Sequence, residues 1–340
     1  MNLAYIGITV LWLFAYGYLI IASIDFGAGF FSYYSMLTRK EHVVNRIIER
    51  YLSPVWEVTN VFLIFFIVGF IGFFPDTAYY YGTALLIPGS IALILLTIRG
   101  SFYAFANYGV RKNKIYMFLY GMTGLFIPAS LSTGLTISEG GFITKEAGTV
   151  LFHPDRLFGS LYSWSVVFLA IVSILYISAS FLTYYADRAH DFPARQQLRT
   201  YALAWSMPTI LASLLVFWGL SMHNPTHFAR ALDYAWMFAA SLVCFLGSLY
   251  LIWKQKKFGI AFLLVMFQFA FAFFGYGISH LPYLLYPYIH IRDALTHTSM
   301  GWALVAAFIA GLFLLVPAIV LLLRLFLFNA EYVKGGKEGK

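Results

Sequence analysis

The chain contains few charged residues. Asp, Glu, Lys and Arg together make up 11% of its 340 residues, whereas a soluble globular domain carries about 25%. Hydrophobic residues account for 61% and aromatic residues for 20%. This composition excludes a soluble globular protein and predicts an integral membrane protein.

Cysteine is almost absent as well. Cys244 is the single cysteine, so the chain can form neither an internal disulfide nor a thiolate metal site. The N-terminus also lacks the basic start of a cleavable signal peptide, and the first apolar run is too long for a signal core. We therefore expect the first run to be retained as a membrane helix.

Nine hydrophobic runs are each long enough to cross the ~30 Å hydrocarbon layer as a helix. They predict an all-α protein with a single polytopic domain over residues 1–340. Short connections favour antiparallel neighbours and an arrangement of two four-helix bundles plus one additional helix. In this division helices one to four lie within about 1–135, an outer loop covers 136–159, helices five to eight lie within about 160–280, and the ninth covers about 300–328. The runs are 3–35, 54–74, 79–105, 115–135, 160–185, 200–221, 234–253, 258–280 and 300–328.

Positive charge is unevenly distributed between alternating connections. On one side lie 18 of the 22 Lys and Arg residues, and only Lys145, Arg156, Arg230 and Arg292 fall on the other. Cytoplasmic loops carry such an excess. The pattern predicts an outside N-terminus and a cytoplasmic C-terminus, and it explains the net charge of +8 without nucleic-acid binding.

Acidic residues are missing from the interior of every run after residue 160, which directs attention to the first three runs. Asp25, Glu57 and Arg99 all fall near the predicted cytoplasmic side. Charged groups at membrane depth usually pair or mark an ion path. We therefore predict that Arg99 pairs with one carboxylate while the other exchanges protons, with Asn60 on the same helical face as Glu57. The alternative is that all three charges lie at the interface, with Arg99 extending toward water.

No histidine falls in the middle of a run, so the chain lacks the buried axial histidine of a bundle-held haem. We expect no haem ligand and no haem bound by this chain alone. His280, His290 and His297 share one outer region, but their spacing matches no tight metal-ligand motif. We therefore assign no metal site and no catalytic residue to the chain.

The longest outer connection, about 135–159, contains Glu139 followed by the pair Gly140-Gly141, and it also carries Glu146 and Asp155. It either contacts a partner or caps the helix bundle. We favour the cap.

Three sequence segments resemble subunit II of the cytochrome bd-type quinol oxidases. They are Asp25-Phe26-Gly27-Ala28-Gly29, the segment from Pro54 to Ile64 with Trp56, Glu57 and Asn60, and Arg99-Gly100-Ser101-Phe102. The second segment departs from the family pattern by having Glu57 as its acid, Val58 in place of glycine and Phe62 in place of a second tryptophan. Gly27 and Gly29 are small residues that allow close helix packing.

The resemblance implies the non-haem subunit of a terminal respiratory quinol oxidase that reduces O2 to water in the bacterial cytoplasmic membrane. A haem-bearing polytopic subunit I would be the partner, carrying two b-type haems and one d-type haem, and quinol would be the substrate of the complex. A small single-helix accessory subunit and membrane lipid are further candidate partners. The chain would support assembly and is a candidate to provide a proton or oxygen route.

Two other functions stay open at this point. A secondary transporter would show broken runs at matching positions of two repeats and a site at the membrane midplane. A purely structural membrane subunit would have no proton path at all.

Overall fold

The structure, a computed structural model, describes residues 3–105, 114–146 and 148–326, with the side chains of 41, 42, 46, 49–58, 103–105 and 322–326 outside the description. Over this part the chain is almost entirely helical. The helices are α1 (Leu3–Leu37), α2 (Glu41–Phe73), α3 (Asp76–Ala84), α4 (Leu86–Phe105), α5 (Lys114–Ser138), α6 (Pro154–Gly159), α7 (Leu161–Arg188), α8 (Phe192–His223), α9 (Pro225–Asp233), α10 (Ala235–Trp253), α11 (Phe258–His280) and α12 (Thr298–Phe326). Two short hairpins join β1 (Ile143–Glu146) to β2 (Thr149–Phe152) and β3 (Tyr283–Leu285) to β4 (Ile289–His290).

The described helices confirm an all-α membrane protein, although they do not by themselves establish nine spans. Seven are long and apolar enough to cross a membrane, namely α1, α5, α7, α8, α10, α11 and α12, and the bent pair α3–α4 supplies an eighth. The remaining predicted span, 54–74, falls in α2, whose described apolar stretch Thr59–Phe73 is shorter than a full crossing. The count of nine and the orientation of the termini stay predictions.

The predicted span 79–105 is not one straight helix. The chain bends by 77° between α3 and α4, at Leu85. Pro88 lies in the first turn of α4, where its missing backbone donor has no helical acceptor to satisfy. The proline therefore favours a new helix start here.

Pro54 does not begin a helix as the sequence predicted. Helix α2 already begins at Glu41, so most of the basic segment 39–50 belongs to this helix. Val44, Ile47 and Ile48 in its first turns are fully buried in the core. Because burying these side chains stabilises the early turns, tertiary packing outweighs the helix-breaking tendency of proline.

Helix α1 packs against α2, α5, α7, α11 and α12. Small residues permit these close approaches: a Cβ at Gly17 would collide with the ring of Phe62 in α2, and one at Gly27 would collide with Ser178 in α7. Helices α7, α8, α10 and α11 also pack together, and α7 contacts both α1 and α5. The division into two four-helix bundles plus one helix stays a prediction.

The outer connection folds back onto the bundle. Phe142, Ile143 and Val150 of the first hairpin region are buried in the same core as Phe73 and Leu285. The backbone N–H of Tyr286 donates to the Ser138 carbonyl at 2.8 Å, which joins the two hairpin regions. These contacts support the interpretation of this connection as a cap on the helix bundle.

Candidate functional site

Arg99 and Asp25 form a buried ion pair between α4 and α1. Arg99 Nε lies 3.1 Å from Asp25 Oδ2, and the two side chains are 0% and 1% exposed. Arg99 Nη2 also donates to the backbone carbonyl of Asp25 at 2.7 Å. The alternative in which Arg99 extends toward water is therefore wrong, and the predicted pairing with a carboxylate is present.

The rest of the guanidinium is held by α5 and by aromatic rings. Arg99 Nη1 donates to the Tyr120 carbonyl at 2.9 Å, and the guanidinium carbon lies 4.2 Å from the centre of the Tyr120 ring and 5.1 Å from that of Phe26. A Cβ at Gly29 would lie 3.0 Å from Arg99 Nη1. Gly29 thus leaves the room that the guanidinium occupies.

The residues predicted on α2 are only partly described. The backbone of Trp56 and Glu57 is helical, but both side chains lie outside the described residues; Asn60 is partly buried. Two contacts fix how α1 and α2 run past each other in opposite directions: Gly17 faces Phe62, and Gly7 faces Phe73. The same spacing, continued along α1, places Asp25 level with about residue 55 of α2. The backbone therefore brings Glu57 within about one helical turn of the level of Asp25.

A second polar cluster lies at the other end of α5, and sequence reasoning missed it. Glu139 directly follows α5, His227 lies on α9, and His280 ends α11. Glu139 Oε1 is 2.8 Å from His227 Nδ1 and 3.3 Å from His280 Nδ1. All three residues are buried, and their potential ligand atoms lie within 4.8 Å of one another. We call these three residues the Glu139 cluster.

Neighbouring side chains orient the Glu139 cluster. Asn224 Nδ2 donates to Glu139 Oε2 at 2.9 Å, and its Oδ1 accepts from the His227 backbone N–H at 3.1 Å, capping α9. His227 Nε2 lies 2.8 Å from Ser279 Oγ. The hydroxyl of Tyr276 donates to Glu139 Oε1.

Glu139 is a carboxylate with strong positive surroundings. Burial raises its pKa, but the charge of His280 and the hydrogen bond from His227 lower it more, so that this pKa lies well below its usual range. Glu139 lies just beyond the end of α5 rather than within it. Its ionised form can therefore bind a cation.

The sequence offered one weak signal for this cluster. Gly140 and Gly141 follow Glu139 and both have φ of +82°, a left-handed conformation that glycine adopts most readily. This turn sends the chain back across the bundle directly after Glu139. The two histidines lie 53 residues apart in sequence, on helices whose packing no local motif specifies.

The two polar sites are far apart. Tyr120, beside Arg99, and Glu139 are separated by 19 positions along α5 and its end, or about 28 Å at 1.5 Å per residue. They therefore lie near opposite ends of the membrane-spanning region, and a single site cannot contain both.

Comparison with known proteins gives independent support for the family. Residues 3–326 match the family model described as cytochrome bd terminal oxidase subunit II. The chain is 31% identical over 342 residues to a Bacillus subtilis (strain 168) protein named putative cytochrome bd menaquinol oxidase subunit II, covering 97% of each chain. It is similar to a chain in the structure of bd oxidase from Geobacillus thermodenitrificans, with a TM-score of 0.85 and 59% identity over 97% of this chain and 100% of that one. This chain therefore belongs to the subunit II family of the cytochrome bd terminal oxidases.

Proposed function

We propose that the chain is the non-haem subunit of a quinol:O2 oxidoreductase complex in the bacterial cytoplasmic membrane, and that it supports assembly of the haem-bearing subunit and provides a proton route. The match to subunit II over nearly the whole chain carries the first part of this proposal. In the complex, quinol supplies electrons for the reduction of O2 to water. The haems, two of b type and one of d type, belong to subunit I.

The exposed surface supports a partner embedded in the same membrane. Large apolar side chains point outward from α4 and α12, including Leu93, Phe313 and Leu314, which are 63%, 76% and 78% exposed. Only 11% of the most apolar stretch of α12 is buried within this chain. Such faces are stable only against lipid or another membrane subunit.

The proposed proton route begins at Glu57. The guanidinium of Arg99 is bonded to both the side chain and the backbone of Asp25, so Asp25 is fixed in an ion pair. Helix α2 brings Glu57 to nearly the same level along the bundle, with Asn60 almost one turn further on. We assign proton exchange to Glu57 and place Asn60 beside the route. The Asp25–Arg99 ion pair would line the route without exchanging protons.

Neutralising Glu57 tests the route separately from assembly. Glu57→Gln keeps the size of the side chain but removes its exchangeable proton. We expect steady-state quinol oxidation to fall about tenfold or more, equivalent to about 1.4 kcal/mol on the limiting barrier. The haem spectrum and subunit stoichiometry of the purified complex should match those of the wild type.

Glu146→Gln is the matched control, because Glu146 is an exposed glutamate in β1. This control should turn over at the wild-type rate. A Glu57→Gln complex that assembles and turns over normally across the pH range would instead favour the purely structural subunit, which is the surviving alternative. The transporter alternative gains no support from the family comparison.

A further inference from the structure

We propose that the Glu139 cluster binds a divalent transition-metal ion of the Zn²⁺ class through Glu139, His227 Nδ1 and His280 Nδ1. Two imidazole nitrogens and one carboxylate are a common donor set for Zn²⁺, with a fourth position left for water or a hydroxyl. The ion would join the end of α5, helix α9 and the end of α11.

Two of the three separations between donor atoms are close to those of a tetrahedral ion, and all three atoms lie within 4.8 Å of one another. Tetrahedral bonds of about 2.0–2.1 Å separate neighbouring ligand atoms by about 3.3 Å. Glu139 Oε1 already lies 3.3 Å from His280 Nδ1 and 2.8 Å from His227 Nδ1. The first distance fits as it stands, and the second needs to open by only about half an ångström.

The hydrogen bonds around the cluster orient its donors, as the hydrogen-bonding neighbours of metal ligands do in known metal sites. The Ser279 hydroxyl is placed to donate to the Tyr276 carbonyl at 2.9 Å, which leaves its oxygen free to accept from His227 Nε2 at 2.8 Å. With an ion bound, this hydrogen bond would keep the proton on Nε2 and leave the lone pair of Nδ1 for the ion. Asn224 holds the other carboxylate oxygen at 2.9 Å.

His280 supplies an independent observation. Its side chain is buried, yet neither ring nitrogen has a hydrogen-bond partner among the described residues. Its Nδ1 faces Glu139 Oε1 at 3.3 Å without the direction of a hydrogen bond. A buried polar group without a partner is destabilising. A metal ion between these atoms would satisfy Nδ1.

The donor atoms also indicate which class of ion would bind. Two buried imidazoles converge on the single Glu139 carboxylate. Imidazole with carboxylate suits Zn²⁺ and its first-row neighbours better than Ca²⁺ or Mg²⁺, which prefer oxygen donors.

The metal content of the purified complex tests this proposal directly. The wild-type complex, washed free of loose metal, should contain about one non-haem transition-metal ion per complex by mass spectrometry, or should take up one Zn²⁺ after chelation and reconstitution. Zn K-edge absorption should then show an N/O shell near about 2.0–2.1 Å with imidazole scattering. A wild-type complex that neither contains nor takes up a stoichiometric ion overturns the proposal.

His280→Leu is the most informative variant, because it removes the nitrogen that lies 3.3 Å from Glu139 Oε1 and leaves the hydrogen bonds of His227 and Asn224 in place. It should reduce the bound metal about tenfold or more, since one of three protein ligands is removed, and lower the thermal stability of the Zn²⁺-loaded complex. His290→Leu is the matched control, since His290 lies in the same region but faces Asp293 at 3.9 Å, outside the cluster; it should keep the metal. A His280→Leu complex that retains the full metal content and the Zn²⁺-dependent stability assigns the ion to another site and also overturns the proposal.

Discussion

Arg99 is a buried cation on α4 whose position depends on contacts from two neighbouring helices. Asp25 on α1 and the carbonyl of Tyr120 on α5 accept its hydrogen bonds, and Gly29 leaves space for it. Removing one partner of a buried ion pair leaves an uncompensated charge, which is destabilising by about 3–5 kcal/mol. The pair therefore constrains both the fold and the chemistry at this end of the bundle.

Arg99→Ala should consequently impair folding rather than turnover alone. We expect a loss of stability of about 3–5 kcal/mol, measured as a low yield of assembled complex and a lower midpoint in thermal unfolding. Arg292→Ala, which alters an exposed arginine, should assemble normally. Asp25→Asn should resemble Arg99→Ala, and the two losses should not add in the double variant, because the variants break the same pair. Additive losses would show that the pair is not coupled.

Gly29→Ala tests the space beside the guanidinium. The added Cβ would lie 3.0 and 3.1 Å from the two terminal nitrogens of Arg99, so we expect a destabilisation of about 1–3 kcal/mol from overpacking. Gly82→Ala is the control, since Gly82 lies in α3 and a Cβ added there would meet no atom within 4 Å, and a helical alanine is slightly more stable than glycine. Thermal unfolding of the two complexes should separate them; equal midpoints would contradict the packing argument.

At the scale of elements, the turn after α5 decides where Glu139 points. Gly140 has a φ of +82°, and a Cβ there would collide with the backbone oxygen of Tyr286. Tyr286 is in turn hydrogen-bonded to Ser138. The turn is thus fixed both by its own conformation and by the second hairpin region.

Gly140→Ala should therefore destabilise the complex by more than the strain of placing alanine at a positive φ. Gly148→Ala is a close control, because Gly148 has a φ of +84° with no neighbouring atom within 4 Å. Both substitutions place alanine in a left-handed conformation, which is destabilising by about 1–2 kcal/mol. Only the alanine at position 140 would also collide with the backbone oxygen of Tyr286. We expect the Gly140→Ala complex to unfold at the lower temperature, and the reverse order would contradict this account.

Helix boundaries show where local sequence and packing diverge. The sequence placed the start of the second membrane helix at Pro54, but the helix begins at Glu41 because Val44, Ile47 and Ile48 are buried against the core. Conversely, no residue in the apolar run 79–105 before Pro88 strongly favours the end of a helix. The chain nevertheless bends by 77° between α3 and α4. Hydrophobicity locates a membrane segment, whereas packing and the position of proline decide where its helices begin and bend.

For the whole molecule, the main prediction concerns the division of labour between subunits. Deleting this chain should leave the haem-bearing subunit unstable or without its high-spin haems, because a large apolar face would lose its partner. The isolated chain supplied with haem should show no stoichiometric Soret band, since no histidine lies in the middle of a predicted membrane span. A fully active oxidase without this chain, or a stable stoichiometric haem in it, would refute these expectations.

The sequence by itself determined the membrane class, most of the span positions, the family and the involvement of Asp25 and Arg99. These depend on apolar length, charge scarcity and motifs contiguous along the chain. Only the tertiary structure decided that Arg99 meets Asp25 and that Glu139, His227 and His280 converge. Arg99 and Asp25 are 74 positions apart and His227 and Glu139 are 88 apart, and their distances follow from how the helices pack, which no local pattern encodes. Ionisable side chains are rare at membrane depth because burying a charge there is unfavourable. The packing of the helices brings these few side chains together.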